Sequence, residues 1–214
     1  MARNNPRDYR VSDGDLIQLA DSIKIFAVRD AAEFAGRMVG PDEVAALAVA
    51  REAFADTLSD TAYFGMCVAA QDDIEKLRRE AADQVRVVHS IAGLGLGSDG
   101  RFAAFGFGKM PRMTDEAYHR ALRRVCRVGA RFLSVLAPHG LTQAMLDALS
   151  AKADAIDEAL EAYAERLEDR LIATAGRVAL GNALFAHVSR FSVIGQSLFF
   201  STDEARYIDY LLPS

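Results

Sequence analysis

Two elbows of glycine and proline limit what this chain can become. Gly40-Pro41 and Pro138-His139-Gly140 interrupt stretches whose apolar residues recur at helical spacing, and the elbow glycines stand 100 residues apart. Glycine suits the position just beyond a helix and proline the first helical position, so each elbow ends one helix and starts another. The expected fold class is all-α: four long helices, or six if the longer ones break, arranged as two antiparallel hairpins in one bundle.

The first helix is expected over 13–39. Leu16, Leu19, Ala20, Ile23, Phe26, Ala27, Phe34 and Met38 lie on one face. Ser12 or Asp13 can cap it. The second begins at Pro41, with Asp42 and Glu43 in its first turn, and meets no proline before Gly93-Leu94-Gly95-Leu96-Gly97. Unbroken it would run ~50 residues, or ~75 Å. That is far above the usual length, so the alternative to a continuous helix is a break near Gly65 or Asp72-Asp73. Thr114-Asp115-Glu116 opens a third helix with the stripe Leu122, Val125, Val128, Phe132 and Leu136. A fourth starts at Leu141 or Thr142. Leu149, Ile156 and Tyr163 repeat every seven residues beside Ala153, Leu160 and Leu167, which is coiled-coil patterning. Beyond Leu171 the pattern turns apolar on most sides.

The halves share a layout: a helix, an elbow, a long helical region and an aromatic tail. Ser98-Asp99-Gly100-Arg101-Phe102-Ala103-Ala104-Phe105 aligns with Thr202-Asp203-Glu204-Ala205-Arg206-Tyr207-Ile208-Asp209-Tyr210 when one residue is inserted. An internal duplication is the expectation. The expected divisions are a polar N-terminal arm (1–12), a first hairpin (13–97), a glycine-aromatic crossover (98–113), a second hairpin (114–200) and an aromatic tail (201–214). The hairpin leading into Phe105-Gly106-Phe107 and Lys109-Met110-Pro111 resembles uncharacterised bacterial proteins built from paired helical hairpins. That resemblance implies a fold and no catalytic residue.

Charge predicts which helices are neighbours. Arg120, Arg123, Arg124, Arg127 and Arg131 stripe the third helix, and Asp154, Asp157, Glu158, Glu161, Glu165, Glu168 and Asp169 stripe the fourth. Folding at the elbow brings Arg123 level with Asp157, Arg127 with Asp154, Arg131 with Asp147, and Arg120 near Glu158 and Glu161. In the first hairpin Lys24 comes level with Asp56, and Arg37 with Glu43. Exposed pairs contribute only ~0–1 kcal/mol each, so they specify register more than they stabilise. The overrunning ends of the second and fourth helices need cover, and Val85, Val88 and Ile91 are expected near Leu184, Val188 and Phe191.

Composition narrows the function classes. A net charge of −5 disfavours nucleic acid and anionic membranes as partners, and two cysteines in 214 residues exclude a disulfide scaffold. The polar N-terminus does not read as a signal peptide. Asn182, His187, Arg190 and Gln196 interrupt the most apolar stretch, so no membrane span is expected. Cytoplasmic localisation follows as the expectation.

Candidate chemistry is sparse. Gly95-Leu96-Gly97-Ser98-Asp99-Gly100 fits a dinucleotide loop but follows a helix instead of a strand. Glu116 and His119 form a single E-x-x-H, the pattern that supplies metal ligands in carboxylate-bridged bundles when it occurs twice. His89 and His187 sit at comparable places in the two halves and form a candidate metal or proton-sensing pair. Cys67 and Cys126 read as small core residues. Residues 91–110 form either a packed crossover or an apolar tongue. No catalytic residue and no cofactor are expected. The leading expectation is a non-enzymatic structural or protein-interaction bundle that can self-associate or take a protein partner. One alternative is a bundle that binds a metal or small ligand through Glu116, His119, His89 or His187. A second is a membrane-active protein using the tongue.

Overall fold

The computed structural model describes residues 6–97 and 99–213. Ser98, the first residue of the expected crossover, lies outside the described residues, as do residues 1–5 of the expected arm and Ser214 of the tail. The chain is all-α, and no strand occurs among the described residues. In order the helices are α1 (Asp13–Arg29), α2 (Ala31–Ala35), α3 (Pro41–Ala55), α4 (Asp60–Leu96), α5 (Gly100–Ala103), α6 (Asp115–Arg131), α7 (Leu133–Leu136), α8 (Gln143–Phe199) and α9 (Glu204–Asp209). A 3-10 turn, Phe107–Arg112, precedes α6, and another, Ala137–His139, follows α7.

Caps explain most boundaries. The Ser12 hydroxyl accepts from the Asp15 amide, Thr114 from Ala117, Asp99 from Arg101 and Phe102, and Asp203 from Arg206. The helix expected over 13–39 breaks at Asp30, and Met38 turns the chain at φ 57°. The second region breaks at residues 56–59 and not at Gly65 or Asp72-Asp73. There the Thr57 hydroxyl donates to the Phe54 carbonyl at 2.7 Å, and Arg177 donates to the Thr57 carbonyl at 2.9 Å. These bonds satisfy carbonyls that a continuing helix would use. Gly65 stays helical inside α4, because the cost of one glycine, about 1 kcal/mol against alanine, is too small to end a packed helix. The fourth helix runs 57 residues without interruption.

The chain forms two compact units. The first takes Met1–Asp60 and Arg170–Ser214 so far as these are described, and the second takes Thr61–Asp169. Neither unit follows the expected hairpin boundaries, since 13–97 and 114–200 each contribute to both.

In the first unit α1 and α3 pair antiparallel and the C-terminal part of α8 lies against them. Leu16, Ile23, Phe34, Leu47, Phe54, Leu184, Val188 and Phe191 form its core. Tyr210, just after α9, is fully buried against Phe34 and Phe199. Its ring occupies the space over Gly195, where any Cβ would collide with it. Its hydroxyl donates to the buried carboxylate of Asp30 at 2.9 Å, which also accepts from Arg29 Nε and Nη2 at 2.9 and 2.7 Å. Burial pushes the Asp30 carboxyl up, but these hydrogen bonds outweigh it and hold the group below the ordinary carboxylate value. Residues 6–9 pack onto the unit. The Asp8 amide donates to Asn182 Oδ1, Asn182 Nδ2 donates to the Pro6 carbonyl, and the buried Tyr9 ring lies between Phe54 and Phe185.

The second unit packs α4 against α6 and the first part of α8, with Val88, Ala92, Leu122, Val125, Leu136, Leu149, Ala153 and Ile156 in its core. Gly129 lets α6 approach Leu146 closely. The crossover folds inward. Phe105 and Phe107 stack at 4.9 Å, and Arg124 Nε donates to the Phe105 carbonyl at 3.1 Å. Gly106 takes φ 69° there, with the Arg124 guanidinium where a side chain would stand. Of the aromatic residues of the expected tongue, Phe105 and Phe107 are therefore core residues and Phe102 is half-buried against them, while Leu94 remains exposed.

Val85, Val88 and Ile91 do not meet Leu184, Val188 and Phe191, because the two sets belong to separate cores.

The expected ion pairs also shift. Arg123 pairs with Asp154, about one turn from the expected Asp157. Asp157 instead lies 3.5 Å from His119 Nδ1, and Arg120 is 4.0 Å from Glu116 on its own helix. Arg127 and Arg131 make no ion pair among the described residues. In the first hairpin Arg51 grips Asp21 with two bonds of 3.0 and 2.9 Å, and Glu43 accepts from the Gly40 amide. Lys24–Asp56 and Arg37–Glu43 do not form. Counting from the elbow glycine misplaced the register, because α2, α7 and the turns beside them consume residues before the helices run level.

Candidate functional site in the second unit

A cavity of about 480 Å³ opens on the second unit, within the size range of small-molecule sites. One wall is a face of α4. Arg78, Ala82, Val85 and His89 recur at three- and four-residue spacing, with Arg79 and Arg86 beside them. The other wall is the 3-10 turn, through Phe107, Gly108, Met110 and Pro111, and Tyr118 of α6 contributes to the floor.

Three guanidiniums surround this apolar floor, each differently engaged. Arg78 bonds Asp115, donates to the Met113 carbonyl at 3.1 Å and lies 4.6 Å over the Tyr118 ring. Arg86 pairs with Asp83 at 2.8 Å and remains well exposed. Arg79 is exposed and makes no ion pair among the described residues. His89 stands edge-on to Phe102 and Phe107, with ring centroids at 5.3 and 5.0 Å.

Tyr118 is 4% exposed, and its hydroxyl has no hydrogen-bond partner. A buried hydroxyl without a partner costs free energy that a packed core avoids. Burial pushes the phenol above its ordinary pKa, against the pull of Arg78 and Arg86, so the group is a neutral donor at physiological pH. The cavity thus offers exposed cationic donors and an apolar floor, and one residue that lines it, Tyr118, carries a buried hydroxyl without a partner.

The residues singled out from sequence are scattered. His89 lines the cavity, whereas His187 is half-buried in the first unit. Glu116 is exposed. The His119 ring is already occupied: Nε2 accepts from Arg123 Nε at 3.2 Å while Nδ1 faces Asp157. That arrangement assigns the proton to Nδ1 and leaves no free nitrogen for a metal. No group of three or more His, Cys, Asp or Glu able to hold a metal occurs among the described residues. Cys126 Sγ lies 3.5 Å from the Leu146 carbonyl, and burial pushes its thiol pKa up. Cys67 is buried, 3.6 Å from the Arg166 carbonyl. The dinucleotide-like glycines find no strand: Gly95 is still helical, against Leu136 and His139.

Sequence reasoning passed over Arg78, Arg79, Arg86 and Tyr118. The available signal was a set of cations around Ala82 and Val85 on one helical face, followed by an aromatic, proline-bearing turn.

No family model matches the chain, and neither a curated protein nor a solved structure matches it. The all-helical class stands on the structure itself, and no comparison supports the resemblance to bacterial hairpin proteins.

Proposed function

We propose that this chain is a non-enzymatic binding protein whose site is the cavity of the second unit, and that it takes a small organic anion. The observation that carries the reading is a cavity rimmed by three arginines and lined by Tyr118, whose buried hydroxyl has no partner. A ligand with an anionic head and an apolar body would satisfy the hydroxyl, engage the exposed guanidiniums and cover Val85 and Phe107. Titration calorimetry with a panel of small aryl and alkyl carboxylates tests it. Saturable binding that Arg79→Ala weakens is expected, and absence of binding across the panel rejects the reading.

A second reading is self-association. Leu171, Ile172, Val193 and Phe200 are each at least 65% exposed in the first unit, and such side chains favour association. Light scattering at micromolar concentration tests it, and a strict monomer counts against it. α8 is long and apolar enough, by length and composition, to cross a membrane. The burial of Leu184, Val188 and Phe191 against α1 and α3 residues favours reading it as a bundle helix.

We also propose that the chain is an internal duplication with exchanged long helices. The α1 and α6 helices each have 17 residues and closely similar C-cap dihedrals. Buried Phe34, Val39, Leu47 and Phe54 correspond to buried Leu136, Leu141, Leu149 and Ile156, each 102 residues on. Buried Ala81, Val85, Val88 and Leu96 correspond to Leu184, Val188, Phe191 and Phe199, each 103 residues on. On this reading each unit combines the hairpin of one half with the long helix of the other.

A further inference from the structure

The duplication gives the cavity a counterpart in the first unit, and there the space is filled. Pro111 corresponds to Tyr9, each three residues before the capping residues Thr114 and Ser12. Ala82 corresponds to Phe185, Arg78 to Gly181, and Arg79 to Asn182 in the register of the long helices. Tyr9 is 3% exposed, against Phe54 and Phe185. A Cβ on Gly181 would come within 2.5 Å of its hydroxyl oxygen, so glycine is what seats the phenol there. The hydroxyl donates to Asp13 at 2.9 Å, and Asn182 holds the backbone of residues 6 and 8 on either side.

In the second unit both rings are missing from these places. A proline stands for Tyr9 and an alanine for Phe185, and the cavity opens where they would be. The anchors change as well. The glycine that seats a ring and the amide that ties down backbone are both replaced by arginines, which suit a ligand that brings its own negative charge. Tyr118 stands where the first unit has the buried Leu16, so a residue with a polar end lines the cavity where its counterpart is wholly apolar.

Resting on the binding reading above, we infer that the ligand of this cavity is an aryl anion, a planar aromatic ring bearing a carboxylate or phosphate, and that the ring takes the place Tyr9 fills in the first unit. The cavity between α4 and the Phe107–Pro111 turn accepts a ring against Phe107 and His89. The acid group reaches Arg79 and Arg86, and the Tyr118 hydroxyl donates to a ligand oxygen.

The test titrates the full chain by calorimetry with 4-hydroxyphenylacetate and with trans-4-hydroxycyclohexylacetate, which have the same charge, the same para-hydroxyl and similar size but differ in planarity. The aryl probe should bind about three- to tenfold more tightly, the contribution of favourable aromatic contacts. Ala82→Phe, which restores the bulk found in the first unit, should abolish binding of both probes. Pro111→Tyr should do the same, and circular dichroism and thermal melting report whether each variant is folded. Equal affinity for the two probes overturns the aryl inference and leaves the anion-binding reading standing. Binding of neither overturns both. Undiminished binding in folded Ala82→Phe and Pro111→Tyr variants places the ligand elsewhere and overturns the inference.

Discussion

Arg78 lies 4.6 Å over the ring of Tyr118 and spends its polar bonds on Asp115 and the Met113 carbonyl, leaving the phenol hydroxyl beneath it without a partner. The cation satisfies the face of the ring and not its oxygen. Replacing Tyr118 by Phe keeps the face and removes the unsatisfied group. The apo protein should gain about 1 kcal/mol, since an unmet buried hydroxyl costs about 1–3 kcal/mol. Affinity for 4-hydroxyphenylacetate should fall. Urea unfolding and calorimetry check the two halves of this prediction, and a less stable Tyr118→Phe protein would contradict the assignment.

Two glycines should respond in opposite directions. Gly65 faces open space inside α4, so Gly65→Ala should stabilise by about 1 kcal/mol through helix propensity alone. Gly195 has the Tyr210 ring directly over it, so Gly195→Ala must displace a buried aromatic and should cost about 1–3 kcal/mol. Thermal melting of both variants is sufficient.

These glycines also show what could be read from the chain. The α class, the Ser12 and Thr114 starts and the Gly-Pro elbow follow from local chemistry, because caps and apolar periodicity act over a few residues. Gly65 looked like a break and is not one, while the real break at residues 56–59 depends on Arg177, which is 120 residues from Thr57 in sequence. The cavity was invisible for the same reason. Arg79 and Tyr118 lie on different helices, and only the folded turn before α6 brings Pro111 across from Ala82. The arginine stripe of α6 was visible but over-read: Arg123 finds an acid across the hairpin, whereas Arg127 and Arg131 do not.

Acid should destabilise the first unit through Asp30. Its carboxyl is held below the ordinary value near 3.8, so the folded state binds its proton less readily than the unfolded chain does. The stabilisation is fully present above the unfolded value and is lost as pH falls through the folded one. Urea midpoints should therefore be flat near neutrality and fall below about pH 4. Asp30→Asn should flatten that acid limb while lowering stability at pH 7, because Arg29 and the Tyr210 hydroxyl lose a charged acceptor.

Alkali should act through three of the six tyrosines. Burial raises Tyr9 to about 12 and pushes Tyr118 and Tyr210 above their ordinary value near 10. A raised phenol pKa means that the neutral form belongs to the folded state. Its stabilisation is complete below about pH 10 and is lost as pH rises through the folded values. Ultraviolet titration should show a late ionisation phase from these three. The late phase should coincide with loss of helical circular dichroism, and it should shrink in Tyr210→Phe.

Cutting the chain between its halves tests the division into units. A protease site placed at residues 97–99 would leave one fragment carrying α1 to α4 and another carrying α5 to α9. The first unit needs α1 and α3 from one fragment and the end of α8 and α9 from the other, while the second needs α4 from one and α6 from the other. Neither fragment contains a complete core. The cut protein should therefore elute as the intact one does in native buffer, keep its circular dichroism, and separate only in denaturant. Its melting temperature should depend on protein concentration, since folding has become an association. Fragments that part in native buffer while staying helical would show that each half closes its own core, and the exchanged arrangement would be refuted.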